Sequence, residues 1–376
     1  MNILLLNWRD PKNPRSGGAE HVTLMHAKAW IAAGHTVTWL SSSFPGSPSN
    51  ENIAGINVIR CGNSVQLLFF VPYFYSKNRQ RFDVVIDEIH GIPFFTPLYV
   101  RVPIIAFIHE IAGDIWDFAY TFPVNVIGRI IERVSLRLYR SVQFWTDGQS
   151  TIRELIAHGI PKNHCVSIPC PIDNKVVRVL PKKEKKSTFI FVGRLVPMKG
   201  VEDAIRAFAI IRTAFPSSSL WIVGQGDERY IARLHEVVGQ LGLRKYVQFF
   251  GYVSQEKKLE LMKRSHVLLH PSVKEGWGLV VLEAASQGTP TIGYNVAGLQ
   301  DTILQGKTGI LVTPRSPQDM AAAGIILLKD VKSYVEIQKK CLRFAGSFSW
   351  SNSVAASLRL IDSVISKSPV TVSEKL

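Results

Sequence analysis

One stretch, residues 266 to 294, restricts what this chain can fold into more than any other: HVLLHPSVKEGWGLVVLEAASQGTPTIGY. Val267 to Leu269 reads as a buried parallel strand, and a loop carrying Glu275, Gly276 and Gly278 follows it. A helical pattern then runs from Leu279 to Ser286, and Thr289 to Tyr294 reads as the next strand. This is one strand-loop-helix-strand unit of an α/β sheet. Its helix opens at Gly276-Trp277-Gly278, where the two glycines leave the first amide N–H groups open to an anion and the helix dipole adds partial positive charge. Glu275 and Glu283 bracket that position. Eight residues at roughly 100° each carry Glu283 about 80° round from Glu275, so both can border one cleft at different depths. The spacing alone also fits two solvated glutamates; a glycine-rich helix start just past a strand end, where open α/β sheets hold ligands, is what favours a site.

A second set of candidates lies upstream. Thr188 to Val192 reads as a strand followed by GRLVPMKG and a helix from Val201 to Phe215, with further strands at Leu220 to Val223 and Val247 to Phe250. Arg194 and Lys199, five residues apart after a strand end, either offer a forked guanidinium and an ammonium to one diphosphate or stand as solvated loop charges. Gly224-x-Gly226 reads as no more than the turn from a strand into its helix.

The run EGWGLVVLEAASQGTPTI resembles the Glu-x7-Glu signature of the retaining glycosyltransferases of family 4. The resemblance implies an α/β protein of the GT-B fold, two doubly wound Rossmann-like domains facing a cleft, with a C-terminal helix crossing back to the first domain. It also implies a nucleotide-sugar donor bound on the second domain, and it is strongest over residues 188 to 313 and weaker over 1 to 170. By the same resemblance Arg194 and Lys199 bind the donor diphosphate with backbone at Gly276, Gly278 and Leu279. Glu275 orients the sugar hydroxyls, Glu283 takes the ribose, and backbone near Val253 takes the base. Ala297 and Asp301 stand where relatives usually carry a double glycine and a glutamate, and Met198 where an acidic residue is common. The chain contains no Asp-x-Asp, so no metal and no cofactor is expected, and the leaving-group charge is assigned to protein cations.

The first half reads as a parallel sheet as well. Ile3 to Leu6, a helix from Ala19 to Ala33 and Val37 to Leu40 form an opening βαβ unit, and strands are predicted at Val58 to Cys61, Val84 to Asp87, Ile104 to Ile108 and Val142 to Thr146. Gly17 and Gly18 precede the first helix, which on pattern alone is a turn, and are similar to the family's glycine loop under the donor diphosphate. His109 ends the strand at 104 to 108 and is placed for ligand contact, whereas His21 and His26 fall within a helix; in the resemblance His109 faces the sugar and its anomeric carbon. The segment DGQST at 147 to 151 is expected to cap the next helix. Further on, helices are predicted at Pro317 to Leu328 and Trp350 to Ile365.

With 376 residues, 46% of them hydrophobic, two domains are expected: residues 1–172 with a final helix at 350–366, a basic linker at 173–187, and 188–345. Cys61, Cys165, Cys170 and Cys341 show neither metal spacing nor the density of a disulfide scaffold, which points to a reducing compartment. The N-terminus reads as a first strand and not as a secretory signal, so a cytoplasmic location is expected. Net charge is +15, with 15 Lys+Arg against 12 Asp+Glu in residues 1 to 170 and 29 against 17 in the remainder. Arg129, Arg133, Arg137 and Arg140 recur among apolar positions, a pattern that fits either a helix lying on anionic lipid or a domain helix with a solvated basic face. Aromatic runs at 65 to 75 and 118 to 122 could add apolar contact.

The expected function is transfer of a hexose-type sugar, with retention of configuration, from a nucleotide sugar to a lipid-linked or polysaccharide hydroxyl. An anionic membrane surface on the inner face is a further partner, and no specific nucleic acid is expected. Two rival readings stand beside it. One is a nucleotide-sugar epimerase or sugar phosphorylase on the same fold, the other a non-catalytic basic binder of membrane or nucleic acid, which the joint presence of Glu275, His109, Arg194 and Lys199 disfavours.

Overall fold

A computed structural model describes residues 1–366. The chain forms two compact units, residues 1–170 with the last helix Trp350–Ser366, and residues 171–349.

Unit 1 is built on an eight-stranded sheet. Its strands are β1 (Asn2–Leu6), β2 (Thr36–Ser41), β3 (Asn50–Ile53), β4 (Ile56–Arg60), β5 (Val84–Ile89), β6 (Ile104–Ile108), β7 (Gln143–Thr146) and β8 (Cys165–Ser167), in spatial order β3-β4-β2-β1-β5-β6-β7-β8. All pairs are parallel except β3 with β4. Central strands such as β1 and β5 are covered on both faces, which is why they read as unbroken apolar runs. β3 is one of the strands that the sequence pattern does not announce: NENI is polar, and the hairpin turns on Ala54 and Gly55, both at positive φ, instead of an Asn-Gly pair. The aromatic run at 65 to 75 is part of a helix, Ser64–Asn78, whose N-terminus is capped by the Asn63 side chain accepting from the amides of Val65 and Gln66.

The last helix completes unit 1. The Ser357 hydroxyl accepts from Trp30 Nε1 at 3.0 Å and lies 3.0 Å from His26 Nδ1, and the Trp350 ring meets His26 edge-on.

Unit 2 carries a six-stranded, wholly parallel sheet of β9 (Thr188–Val192), β10 (Ser219–Val223), β11 (Val247–Gly251), β12 (Val267–His270), β13 (Thr291–Tyr294) and β14 (Gly309–Val312), ordered β11-β10-β9-β12-β13-β14. Phe189, Phe191, Ile205, Phe208 and Ile211 anchor its main core. A helix at Val331–Ala345 follows the expected one, which spans Pro317–Lys329.

The expected linker at 173–187 is no free tether. Val177 N–H donates to the Ser286 carbonyl and Glu184 N–H to that of Arg264, and the Glu184 carboxylate pairs with the Arg264 guanidinium at 2.5 Å. Lys183 is drawn inward to donate to Thr289 Oγ1 at 2.8 Å, and burial pushes its ammonium down to about 7. The segment is laid along unit 2, so its cations are partly spent on structure.

Candidate active site

In unit 2 the strand order reverses between β9 and β12: the chain runs outward from β9 through β10 to β11, then returns to the other side of β9. Loops leaving neighbouring strand ends in opposite directions open a crevice there. The loop after β9 holds Arg194 and Lys199, and the loop after β12 holds Glu275 to Gly278. The two are stitched together, Val273 N–H donating to the Met198 carbonyl at 3.0 Å.

That stitching sets the ionic core of the site. Lys199 Nζ lies 2.5 Å from Glu275 Oε1, and His270 Nε2 lies 2.9 Å from the same oxygen. The Glu275 side chain is only 12% exposed. Burial works to raise its carboxyl, but the Lys199 ammonium and the His270 hydrogen bond outweigh burial and hold it well below the usual carboxylate range. Glu275 is therefore an anion at neutral pH, able to accept hydrogen bonds and to oppose developing positive charge but not to donate a proton. Beside it, Gly278 takes φ +92° as the residue before the helix Leu279–Ser286, a left-handed conformation suited to glycine that turns the chain into the helix start.

Glu283, farther along that helix, is held through Oε1 by Lys258 Nζ at 2.8 Å and Gln255 Nε2 at 3.0 Å. Its Oε2 is buried and has no partner among the described residues, which makes it an acceptor in want of a donor. Arg194 is exposed on the β9 loop, Gly276 is half-buried, and Val253, on the loop after β11, packs its side chain with Ile190, Val192 and Val223. Gly224 and Gly226 do more than turn the strand. A Cβ on Gly224 would come within 1.8 Å of the Gly193 carbonyl oxygen and one on Gly226 within 2.0 Å of that of Leu195, so bare backbone there lets the cation-bearing loop seat against β10.

In unit 1, His109 ends β6 with both ring nitrogens engaged, Nδ1 at 2.5 Å from Asp147 Oδ2 and Nε2 at 3.3 Å from Glu88 Oε1. Glu88 also meets His90 Nε2 at 3.1 Å and accepts from the Thr23 hydroxyl at 2.8 Å. Burial opposes the charged ring, yet the Asp147 carboxylate, helped by Glu88, raises His109 well above the ordinary histidine value; Glu88 in turn is held down at about 2 against its burial. His109 is thus an imidazolium clamped between two carboxylates. Asp147, expected to cap a helix, is instead this histidine's partner, and Gly148 precedes the helix Gln149–Ala157 without a side-chain cap. Gly17 precedes the helix Gly18–Ala32, and its N–H is taken by Glu20 Oε2 at 2.7 Å while Arg9 holds the other Glu20 oxygen at 2.6 Å.

Sequence reasoning passed over His270, Glu88 and Asp147. The rule that singled out His109, a polar residue closing a buried strand, applies equally to His270 at the end of β12 and to Glu88 near the end of β5. Nothing in the sequence pairs Asp147 with His109, because that contact joins two neighbouring strand ends.

Comparison with known proteins decides the family. The profile described as "Glycosyl transferases group 1" matches residues 173–342, and that described as "Glycosyltransferase Family 4" matches residues 16–176. The chain belongs to the group 1, family 4 glycosyltransferases. This glycosyltransferase is 27% identical over 348 residues to an uncharacterized glycosyltransferase of Methanocaldococcus jannaschii, covering 85% of this chain and 87% of that one. Among solved structures, sucrose-phosphate synthase of Thermosynechococcus elongatus superposes with a TM-score of 0.78 at 20% identity, over 98% of this chain and 100% of that one. The HepE protein of Anabaena, solved with UDP and glucose, gives 0.73 at 19% identity over 96% and 100%. The glycosyltransferase thus has the GT-B fold, two α/β units each on its own largely parallel sheet.

Proposed function

We propose that this glycosyltransferase moves a hexose from a nucleotide diphosphate sugar to a hydroxyl of a lipid-linked or polysaccharide acceptor, with retention of configuration and without an essential metal. The observation that carries the reading is the Lys199–Glu275–His270 cluster at the strand-order reversal of unit 2, beside the start of the helix Leu279–Ser286. In the transfer the bond from the anomeric carbon to the phosphate oxygen breaks, its electron pair leaves on the phosphate, and the acceptor oxygen bonds to the carbon and sheds its proton. Negative charge grows on the phosphate and positive charge on the ring. Lys199, Arg194 and the helix N-terminus answer the first, the Glu275 carboxylate the second, and the unpartnered Oε2 of Glu283 is suited to a ribose hydroxyl. The UDP and glucose bound by the structurally similar HepE support a donor of this class. The resemblance to retaining enzymes supports retention. Four free cysteines favour a reducing, cytoplasmic compartment, and among the described residues no helix is long and apolar enough to cross a membrane.

The test is a thermal-shift screen with UDP-, GDP- and ADP-hexoses, since a ligand that binds only the native state raises its stability by mass action. One donor is expected to raise the midpoint and to be consumed when acceptor is added, also in excess EDTA. If no nucleotide sugar shifts the protein and none is consumed, the reading is wrong; activity lost in EDTA and restored by Mg or Mn removes the metal-free part alone.

A further inference from the structure

Among the described residues, twelve of the twenty large apolar side chains that are exposed fall between Val65 and Leu138, all in unit 1. They concentrate on two helices. On Ser64–Asn78, Val65, Phe69 and Tyr73 recur every fourth residue and are 64%, 76% and 61% exposed; on Val124–Leu138, Ile127, Ile130 and Val134 are 50%, 57% and 51% exposed. The second helix has its amphipathicity inverted. Its inward side presents Gly128, Glu132 and Ser135 and only one fully buried large apolar residue, Leu136, with Glu132 accepting from the amides of Ala112 and Gly113, while the stripe of Ile127, Ile130 and Val134 is turned to solvent.

Both helices cover one face of the sheet. Leu67 and Val71 of the first pack with Leu4, Leu6 and Val85, and Leu136 of the second packs with Ala106, Ile108 and Phe144. The parallel register puts those strand residues on the same side, Leu4 opposite Val85, Val85 opposite Ile104, and Ala106 opposite Phe144. The exposed stripes of the two helices therefore face the same way.

Charge says what covers them. Arg133, Arg137 and Arg140 are exposed along the second stripe, and Lys77, Arg79 and Arg81 at the end of the first. The first helix carries no acidic residue, and Glu132, the only one in the second, is buried. A second copy would set cation against cation. We propose that this face of unit 1 is a docking surface for an anionic lipid bilayer, the apolar stripes entering the headgroup region and the arginines and lysine binding lipid phosphates. Two weak signals combined, apolar insertion and basic charge, are what stable attachment at an interface needs. This deepens the reading of a lipid-linked acceptor and rests on it for its purpose, but attachment is read without any sugar transfer.

The experiment is flotation of the full chain with vesicles of phosphatidylglycerol mixed into phosphatidylcholine, and of phosphatidylcholine alone, at low and physiological salt. The protein is expected to float with the anionic vesicles, more weakly as salt rises, and to stay behind with neutral ones. Two variants, Ile127→Asn with Ile130→Asn, and Arg133→Gln with Arg137→Gln and Arg140→Gln, are each expected to lose partition, the second on the order of 100-fold at roughly fivefold per charge. Both should keep the parent's unfolding midpoint and its rate of donor hydrolysis, which separates failed docking from a failed fold or a failed enzyme. Equal flotation with neutral vesicles, no flotation with either, or parent-like partition of the arginine variant overturns the proposal. So does a dimer in sedimentation that the Ile127→Asn and Ile130→Asn changes dissolve, since the stripes would then be covered by a second copy.

Discussion

Glu275 shares a single carboxylate oxygen between an ammonium and an imidazole, and this sets what each neighbour contributes. Removing a charge-assisted contact to a phosphate costs on the order of 2 to 3 kcal/mol, so Arg194→Ala and Lys199→Ala are each expected to lower turnover roughly 30- to 150-fold. Near-parental rates in steady-state assays of both would remove them from the site. The two differ in a second respect. Lys199 is the main force holding the Glu275 carboxyl down, so only Lys199→Ala should move the acidic limb of the pH-rate profile upward, whereas Arg194→Ala leaves it in place. His270→Asn takes away one hydrogen bond to a charged group and is expected to cost about tenfold in kcat/KM with Lys199 intact. A parental kcat/KM would reduce His270 to a core residue. Glu88 and Glu275 both have folded pKa values below the ordinary 4.5, so the stability they contribute is present above about pH 4.5 and lost as pH falls through their folded values. His109 runs the other way, its contribution complete below 6.5 and lost only as pH rises through its elevated value. Urea midpoints should therefore fall on acidification below 4.5, and Glu275→Gln should flatten that fall; an unchanged slope in the variant would contradict the assigned shift.

Secondary-structure elements show where the sequence was legible. Strands buried on both faces, β1, β5, β6 and β9, stand out as apolar runs, and the helix Leu279–Ser286 is marked by its glycine start, so the frame of both sheets and of the candidate site is readable from pattern alone. Polar β3 is not, because its hairpin rests on Ala54 in a left-handed conformation that the sequence does not advertise. The arginine-rich helix at Val124–Leu138 was legible in its periodicity but not in its orientation. The pattern fits an apolar side turned either to the core or to lipid, and it is the inward Glu132, held by Ala112 and Gly113, together with the exposed Ile127, Ile130 and Val134, that shows most of the apolar side facing out. Glu132→Ala should strand two amide donors and cost about 1 to 3 kcal/mol of stability, measured by urea denaturation, which is more than any single exposed residue of that helix. A cost below 0.5 kcal/mol would mean that the inward carboxylate does not fix the helix.

At the scale of the whole molecule, the chain leaves unit 1 after Cys170, builds all of unit 2, and comes back only at Trp350. The returning helix is not ornament: Ser357 is fully buried against Trp30 and His26, and burial holds His26 at about 3, so that ring is neutral in the folded protein. A chain ending at Ser349 is expected to leave unit 1 cleaved rapidly in limited proteolysis while unit 2, a contiguous segment with its own sheet and core, resists. Equal resistance of both units would show the closing helix to be dispensable. During synthesis the consequence is an inversion. The half of the protein that leaves the ribosome first must wait, its aromatic pocket around Trp30 and Trp145 unfilled, until the last helix is translated, while the half made second has every residue it needs beforehand. Unit 1 is begun before unit 2 and finished after it, so of the two it is unit 1 that spends longer incomplete, exposed to aggregation and to chaperones.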